Sequence, residues 1–401
     1  MRVMFLNPSG QMGGAETGLV EILASLRHAQ PSWALHLLMA AEGPLEARAA
    51  ALGVSTAVLA FPSSIARLGE SGGASAGHRS RFLWQLARAA APIAAYLGRL
   101  RAAVREFAPD VVHTNGLKMH LLGARTDRKP ELVWHLHDYL SSRPMSARLL
   151  RRSRMRCAAV IANSASVDAD VRRTIGDDGN VFVVSNAVDL VRFSPVGDLM
   201  NLDERAGLPA AAPGTVRVGL LGTFARWKGH VTFLEAIARI PRDVPIRAYV
   251  IGAAVYDTEA SQRSRSELVH VVERLGIGDR VGFTGFVAQP EFALRALDVV
   301  VHASTSPEPF GLVIAEAMAC ERAVIVSLAG GAAEMVTVGV DALGHQPGDV
   351  AGLAARITEL AIDPALRSRI GCAGRETAER CFDGARLANE LVPIYQSLMH
   401  K

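Results

Sequence analysis

The chain has 401 residues and a mass of 42.7 kDa, more than one hydrophobic core of roughly 100 to 200 residues uses, so two domains are expected. Half of the residues are hydrophobic, 20% are charged and 5% are aromatic, a balance that argues against disorder and favours helices packed on narrow sheets over an all-β sandwich. The net charge of +4 divides into +7 over residues 1–200 and −3 over 201–401, which fits either an anionic partner of the first half or solubilising arginines, while no arginine-rich tail or aromatic-studded basic motif points to nucleic acid.

MRVMFLN at the start runs straight into an apolar strand pattern, without the basic region, long apolar stretch and cleavage site of a secretory signal. The most membrane-like run, 89–97, holds Pro92 and is too short to span a bilayer. A soluble, cytoplasmic protein is expected. Strands are expected at 3–6, 34–39, 56–59, 110–113, 132–137, 158–162 and 181–184, with helical patterns between most of them. In the second half strands are expected at 216–221, 247–251, 281–284, 299–302 and 323–326, and helices near 230–240, 261–275, 290–297, 311–319 and 349–361. The alternation marks βαβ units and parallel sheets. The Gly/Ser-rich stretch 63–78 reads as a mobile excursion. Pro195, Pro209 and Pro213, with an alanine run at 210–212, read as a linker. Open parallel sheets bind ligands beyond the carboxyl ends of their strands, so the cleft between two such halves is the expected site.

The motifs follow the same order. Asn7-Pro8-Ser9-Gly10-Gln11-Met12-Gly13-Gly14-Ala15-Glu16 leaves the first strand for a helix, and its glycines let backbone amides approach a phosphate or an acceptor. The stretch lacks GxGxxG, so a nicotinamide enzyme is not indicated. His113 ends one strand and reads as structural, whereas His137, in Trp134-His135-Leu136-His137-Asp138, ends another and is as much a candidate for a sugar contact as for a bystander. Gly219 to His230 passes from strand through glycines to helix and carries Arg226 and Lys228 toward the expected cleft.

Pro307-Glu308-Pro309-Phe310-Gly311-Leu312-Val313-Ile314-Ala315-Glu316 is the sharpest signal. A strand, a tight turn and a helix start gather unpaired backbone N–H groups into an anion site. Glu316, five residues after Gly311, stands roughly 7 to 8 Å further along at 1.5 Å per residue, so Glu308 and Glu316 bracket a diphosphate. No metal-ligand cluster is visible, since the one DAD (Asp168 to Asp170) lies in a helical pattern. A leaving diphosphate therefore needs cations and helix N-termini, and neither a metal nor another cofactor is expected. Cys157, Cys320, Cys372 and Cys381 show no CxxC pairing and no zinc spacing.

Taken together, these motifs resemble the retaining GT-B glycosyltransferases of family 4. The likeness is densest over 218–342, with the E-x7-E element (Glu308, Glu316), the G-x5-KG loop (Gly222 to Gly229), GFTGFV (282–287) and GGAAEMV (330–336); GGAE (13–16), HLHD (135–138) and SNAVD (185–189) extend it. The resemblance implies two Rossmann-like α/β domains facing across a cleft: an acceptor domain over 1–190, a linker over 191–213, a nucleotide-sugar domain over 214–382, and a C-terminal helix over 383–401 returning to the first domain. It implies Lys228, with Arg226, at the diphosphate and Glu316 at the ribose. Glu308 and the amides of Phe310, Gly311 and Leu312 would meet the donor sugar and phosphate. Backbone around Phe286 would meet the base, His137 the donor sugar, Gly14 the diphosphate as part of the wall beside it, and Gly13, Gly14 and Asn186 the acceptor side. Glu308, Lys228 and His137 are the residues implied in catalysis.

The implied reaction moves a hexose from a nucleotide sugar, a UDP-sugar before a GDP-sugar, to an acceptor hydroxyl with retention and without metal. Two departures stand out: Thr223 where the family carries arginine, and Asn186-Ala187 where it carries Asn-Gly. A nucleotide-sugar 2-epimerase and a non-catalytic binding protein are the rival readings. The acceptor is open among a glycan, a lipid-linked intermediate and a small metabolite. Six arginines without an acid in 79–105, and six more in 143–156, suggest peripheral contact with the inner face of a membrane, or plain surface helices.

Overall fold

The computed structural model describes residues 1–62, 76–254 and 262–400, with backbone alone over 76–89. The expected excursion at 63–78 and the side chains of Arg79, Arg81 and Arg88 therefore lie largely outside the described residues. The chain forms two units, Met1–Ser185 with Gly384–Lys401, and Asn186–Asp383.

The first unit is built on a seven-stranded parallel sheet of β1 (Arg2–Asn7), β2 (Ala34–Met39), β3 (Ser55–Val58), β4 (Val111–Asn115), β5 (Glu131–Leu136), β6 (Ala159–Ala162) and β7 (Val181–Val183), in the order β3-β2-β1-β4-β5-β6-β7. Its strands are runs of Val, Leu, Ile and Phe because helices cover both faces. Met4, Leu6, Val112, Trp134 and Val160 are buried in one of the two layers so formed. The register places Leu6 beside Thr114 and Asn115 beside His135. The strand order reverses between β1 and β4, where the crevice of such a sheet opens. The helix Arg386–Leu398 belongs to this unit: it buries Leu387, Leu391 and Tyr395, and the Ala388 amide donates to Ser25 Oγ at 3.0 Å. Its return to the first half of the chain is as expected.

The second unit repeats the plan with β8 (Val216–Leu221), β9 (Ile246–Ile251), β10 (Val281–Gly285), β11 (Val299–His302), β12 (Ala323–Ser327) and β13 (Leu343–His345), all parallel, in the order β10-β9-β8-β11-β12-β13. The reversal here lies between β8 and β11. Strand β13, unforeseen from the sequence, is three residues held by β12 alone.

The expected linker is not one. Residues 186–213 belong to the second unit, with Phe193 and Leu202 buried in its core. The Arg295 guanidinium donates to the carbonyls of Ser194, Asp198 and Arg192 at 2.9, 2.8 and 2.8 Å. Buried Asp203 accepts from Tyr249 Oη at 2.6 Å, Arg247 at 2.7 Å and the Ala211 amide at 3.0 Å. Prolines interrupt this stretch, which holds the short helix Leu202–Arg205, without making it loose.

Candidate active site

In the second unit the chemistry gathers where the strand order reverses. Leaving β11, the chain passes Ser304 and reaches Glu308, which is buried and bridged to Gly330. The Glu308 carboxylate accepts from Lys228 Nζ at 2.5 Å, His302 Nε2 at 2.6 Å and Ser304 Oγ at 2.6 Å. Burial pushes this carboxyl up, but Lys228 and His302 outweigh it and hold Glu308 well below the usual carboxylate range. It is an anion at any physiological pH. Ser304 is fixed in turn by Ser327 Oγ, which donates to its carbonyl at 2.6 Å.

Lys228 reaches Glu308 from the loop that follows β8. The Thr305 amide donates to the Trp227 carbonyl at 2.7 Å, tying that loop to the end of β11. Lys228 Nζ also lies 4.2 Å above the Trp227 ring. Gly229 sits at φ +74, and a Cβ there would stand 1.8 Å from the Ala303 carbonyl oxygen. Only glycine lets the loop lean this closely on the strand end.

Past Glu308, Gly311 at φ +102 caps the helix Leu312–Ala319. The Ile314 amide closes on the Gly311 carbonyl at 2.9 Å, so the amides of Phe310, Gly311 and Leu312 precede any intrahelical acceptor. The Phe310 ring is buried edge-on against Phe382, at 5.8 Å between centroids. Glu316 is 8% exposed, and its carboxylate has no hydrogen-bond partner among the described residues. Burial pushes its pKa up to about 7; Arg192 opposes this and Glu291 adds to it. A carboxylate so placed is suited to receive hydroxyl donors.

Arg226 and Phe286 stand apart from this group. Arg226 faces Glu267 at 3.5 Å and is 45% exposed. Phe286 is 64% exposed, following Gly285 at φ +72, with its carbonyl accepting from Arg205 at 3.1 Å. Thr223 lies in the loop after β8. His302 and Ser304 went unnoticed in the sequence; their signal was the polar break at the end of the VVVHAS run.

The first unit has its own polar group at its own reversal. Asn7 ends β1, Asn115 ends β4, and His137 follows β5. Asn115 Nδ2 donates to Asn7 Oδ1 at 2.7 Å, and Asn115 Oδ1 pairs with His137 Nε2. The His137 ring lies 4.2 Å from that of His135. His135 Nδ1 meets His113 Nε2 at 3.2 Å, and His113 Nδ1 meets Tyr395 Oη at 2.7 Å. Burial lowers the pKa of His137 to about 4 and of His113 to about 3, so both rings are neutral. Gly13 caps the helix Gly14–Ala29 and Gly14 opens it, with nothing among the described residues within 4 Å of where a Gly14 Cβ would be. Burial raises the pKa of Glu16, two residues on, against a hydrogen bond from Asn7. Asn186, expected on the acceptor side, is the buried first residue of the second unit. Among the described residues no group of three or more His, Cys, Asp or Glu side chains is placed to hold a metal ion.

Residues 12–192 match the Glycosyltransferase Family 4 family and residues 211–377 match Glycosyl transferases group 1. The lipopolysaccharide core biosynthesis glycosyltransferase LpsD of Rhizobium meliloti is 27% identical over 74% of this chain and 78% of its own. The alpha-maltose-1-phosphate synthase of Mycobacterium tuberculosis is 31% identical over 60% of this chain, and the match spans 63% of its length, less than two thirds. Anabaena HepE, solved in complex with UDP, superposes with a TM-score of 0.80 at 25% identity, over 99% of this chain and 100% of its own. Its complex with UDP-glucose superposes at 0.79 and 26% identity.

Proposed function

Since the chain belongs to the group 1, family 4 glycosyltransferases of GT-B fold, we propose that it moves a hexose from a UDP-sugar to an acceptor hydroxyl with retention of configuration and without a metal ion. The Lys228–Glu308 pair carries this reading, set at the strand-order reversal beside the amides of Phe310, Gly311 and Leu312. Lys228 and those amides receive the diphosphate, whose charge grows as the bond from the sugar C1 to the phosphate oxygen breaks. Glu308 holds Lys228 in place and meets the sugar, and the Glu316 carboxylate accepts the ribose hydroxyls. The acceptor oxygen bonds to C1 on the face the diphosphate leaves, and its proton passes to the departing phosphate oxygen. Within the first unit, His137 is offered to a sugar hydroxyl and the Gly13–Gly14 turn to the acceptor. The likeness to HepE, which binds UDP and UDP-glucose, favours uridine over guanosine.

Incubation with UDP-, GDP-, ADP- and dTDP-sugars tests the reading. Slow release of UDP that persists in EDTA, and falls at least a hundredfold in Lys228→Ala, is expected; an isomerised sugar would instead mark an epimerase, and tight binding without turnover a binding protein. The proton coupling at C1 of the product reports whether configuration is kept.

An acceptor carried on an anionic membrane is a second element of the proposal. Arg148, Arg151 and Arg152 are exposed on the helix Pro144–Ser153, and Met155 beside it is 96% exposed. Sedimentation with phosphatidylglycerol vesicles, lost in Arg151→Glu/Arg152→Glu, is the expected result. No helix of the described residues is long and apolar enough to cross a membrane.

A further inference from the structure

The hydrogen bonds of the first unit decide which nitrogen of His137 carries a proton, and they do so from an atom with no choice. A main-chain carbonyl only accepts. Asn7 Nδ2 stands 2.6 Å from the Ser9 carbonyl oxygen and 3.2 Å from Glu16 Oε1, so this end of the Asn7 amide is its NH2 and the other end its oxygen. That oxygen takes a hydrogen bond from Asn115 at 2.7 Å, which makes the facing Asn115 atom the NH2. The remaining Asn115 atom is an acceptor, and it faces His137 Nε2. Nε2 therefore donates. A neutral imidazole has one N–H, so Nδ1 keeps a lone pair, and it is buried with no hydrogen-bond partner among the described residues. An orphaned buried acceptor is costly, and a hydroxyl from a ligand removes that cost. The neighbouring string Tyr395–His113–His135 has no such anchor, because a hydroxyl and two imidazoles can run in either direction.

We propose that Asn115, oriented through Asn7 by the Ser9 carbonyl, is a positioning residue that holds His137 as its Nε2–H tautomer, so that Nδ1 accepts a hydrogen bond from a hydroxyl of the bound sugar. The proposal rests on the glycosyltransferase reading, which gives His137 a sugar hydroxyl as its ligand. It makes His137 an acceptor and not a proton donor in the reaction. Asn7, a strand-end residue that touches no substrate in this scheme, is fixed into the same role one step back.

Nitrogen NMR of the full chain labelled with 15N-histidine tests it. The wild type is expected to show His137 with its proton on Nε2 and a lone pair on Nδ1 from pH 6 to 8, and a spectrum with the proton on Nδ1 overturns the proposal without recourse to any variant. In Asn115→Leu the proton is expected to divide between the two nitrogens; an unchanged tautomer overturns the role of Asn115. Kinetically, Asn115→Leu and His137→Phe are each expected to lower kcat/KM for the nucleotide sugar about tenfold, and the double variant no further, since the two act as one unit. Additive losses would overturn the coupling. Absence of turnover by the wild type with every nucleotide sugar, alongside an intact Nε2–H spectrum, would overturn the glycosyltransferase reading and the sugar hydroxyl with it, while upholding the proton assignment.

Discussion

Glu316 shows what a single buried carboxyl costs. Its pKa of about 7, raised by burial, means that the unfolded chain ionises at this position near its ordinary value while the folded chain resists. Below about pH 4.5 both states are protonated and there is no penalty; it grows as pH rises toward 7 and is complete above, at most about 3 kcal/mol. Glu316→Gln is therefore expected to melt at a higher temperature than the wild type at pH 8 and at a similar one near pH 4, while binding UDP more weakly. A lower melting temperature at pH 8 would refute the cost, and unchanged UDP affinity would refute the ribose contact. Lys228 can be read in the same way. Lysine is scarce here, with Lys118, Lys129, Lys228 and Lys401 among 43 basic residues, and the one beside Glu308 is a compact, flexible cation suited to a diphosphate. Glu308 and Glu316 were legible as candidates from their spacing along one strand, turn and helix, and Lys228, 80 residues from Glu308, from its own passage from strand through glycines to helix. Asn115 and His302 were not. An asparagine ending a strand says nothing until the neighbouring strands are known, and Asn7 lies 108 residues away from it.

The loop between β8 and the helix His230–Arg239 sorts its two glycines by geometry. At Gly222 nothing among the described residues lies within 4 Å of an added Cβ, whereas at Gly229 the Ala303 carbonyl fills that place and φ is positive. Gly222→Ala is expected to change the melting temperature little. Gly229→Ala is expected to displace Lys228, destabilise the second unit by several kcal/mol and abolish turnover, as thermal melts and kinetics would show. The segment 186–213 poses the same question about long-range partners. Its prolines and alanines carry no periodicity, so the sequence reads as slack, yet Arg295 from a later helix grips three of its carbonyls. Arg295→Ala is expected to cost about 3 kcal/mol and to open 194–199 to proteolysis; resistance equal to the wild type would count against the grip. Strand positions were legible throughout from runs of Val, Ile and Leu, except for β13, too short to show any pattern.

At the scale of the whole chain, the +7 of residues 1–200 does not describe a unit, because the first unit also takes in residues 384–401. The closing helix supplies Leu387, Leu391 and Tyr395 to that core, and Tyr395 Oη caps the histidine string through His113. Truncation after Asp383 is expected to unfold the first unit selectively. Two separate denaturant transitions in the intact chain would become one, with the second unit's midpoint retained, and a first unit that still melted cooperatively would show the helix to be dispensable. The two-domain plan and the parallel sheets were legible from the βαβ alternation, but the seam at 185–186 was not, since it is drawn by contacts and not by composition.

The same arrangement dictates an order of events at the ribosome. Residues 186–383 are continuous and have every strand of their sheet once Asp383 has emerged, whereas the residues made first must wait for the residues that follow it. Synthesis from the amino end usually lets the leading domain settle first; in this chain the leading domain finishes last, and the apolar surface that awaits Leu387, Leu391 and Tyr395 stays a chaperone's concern until then.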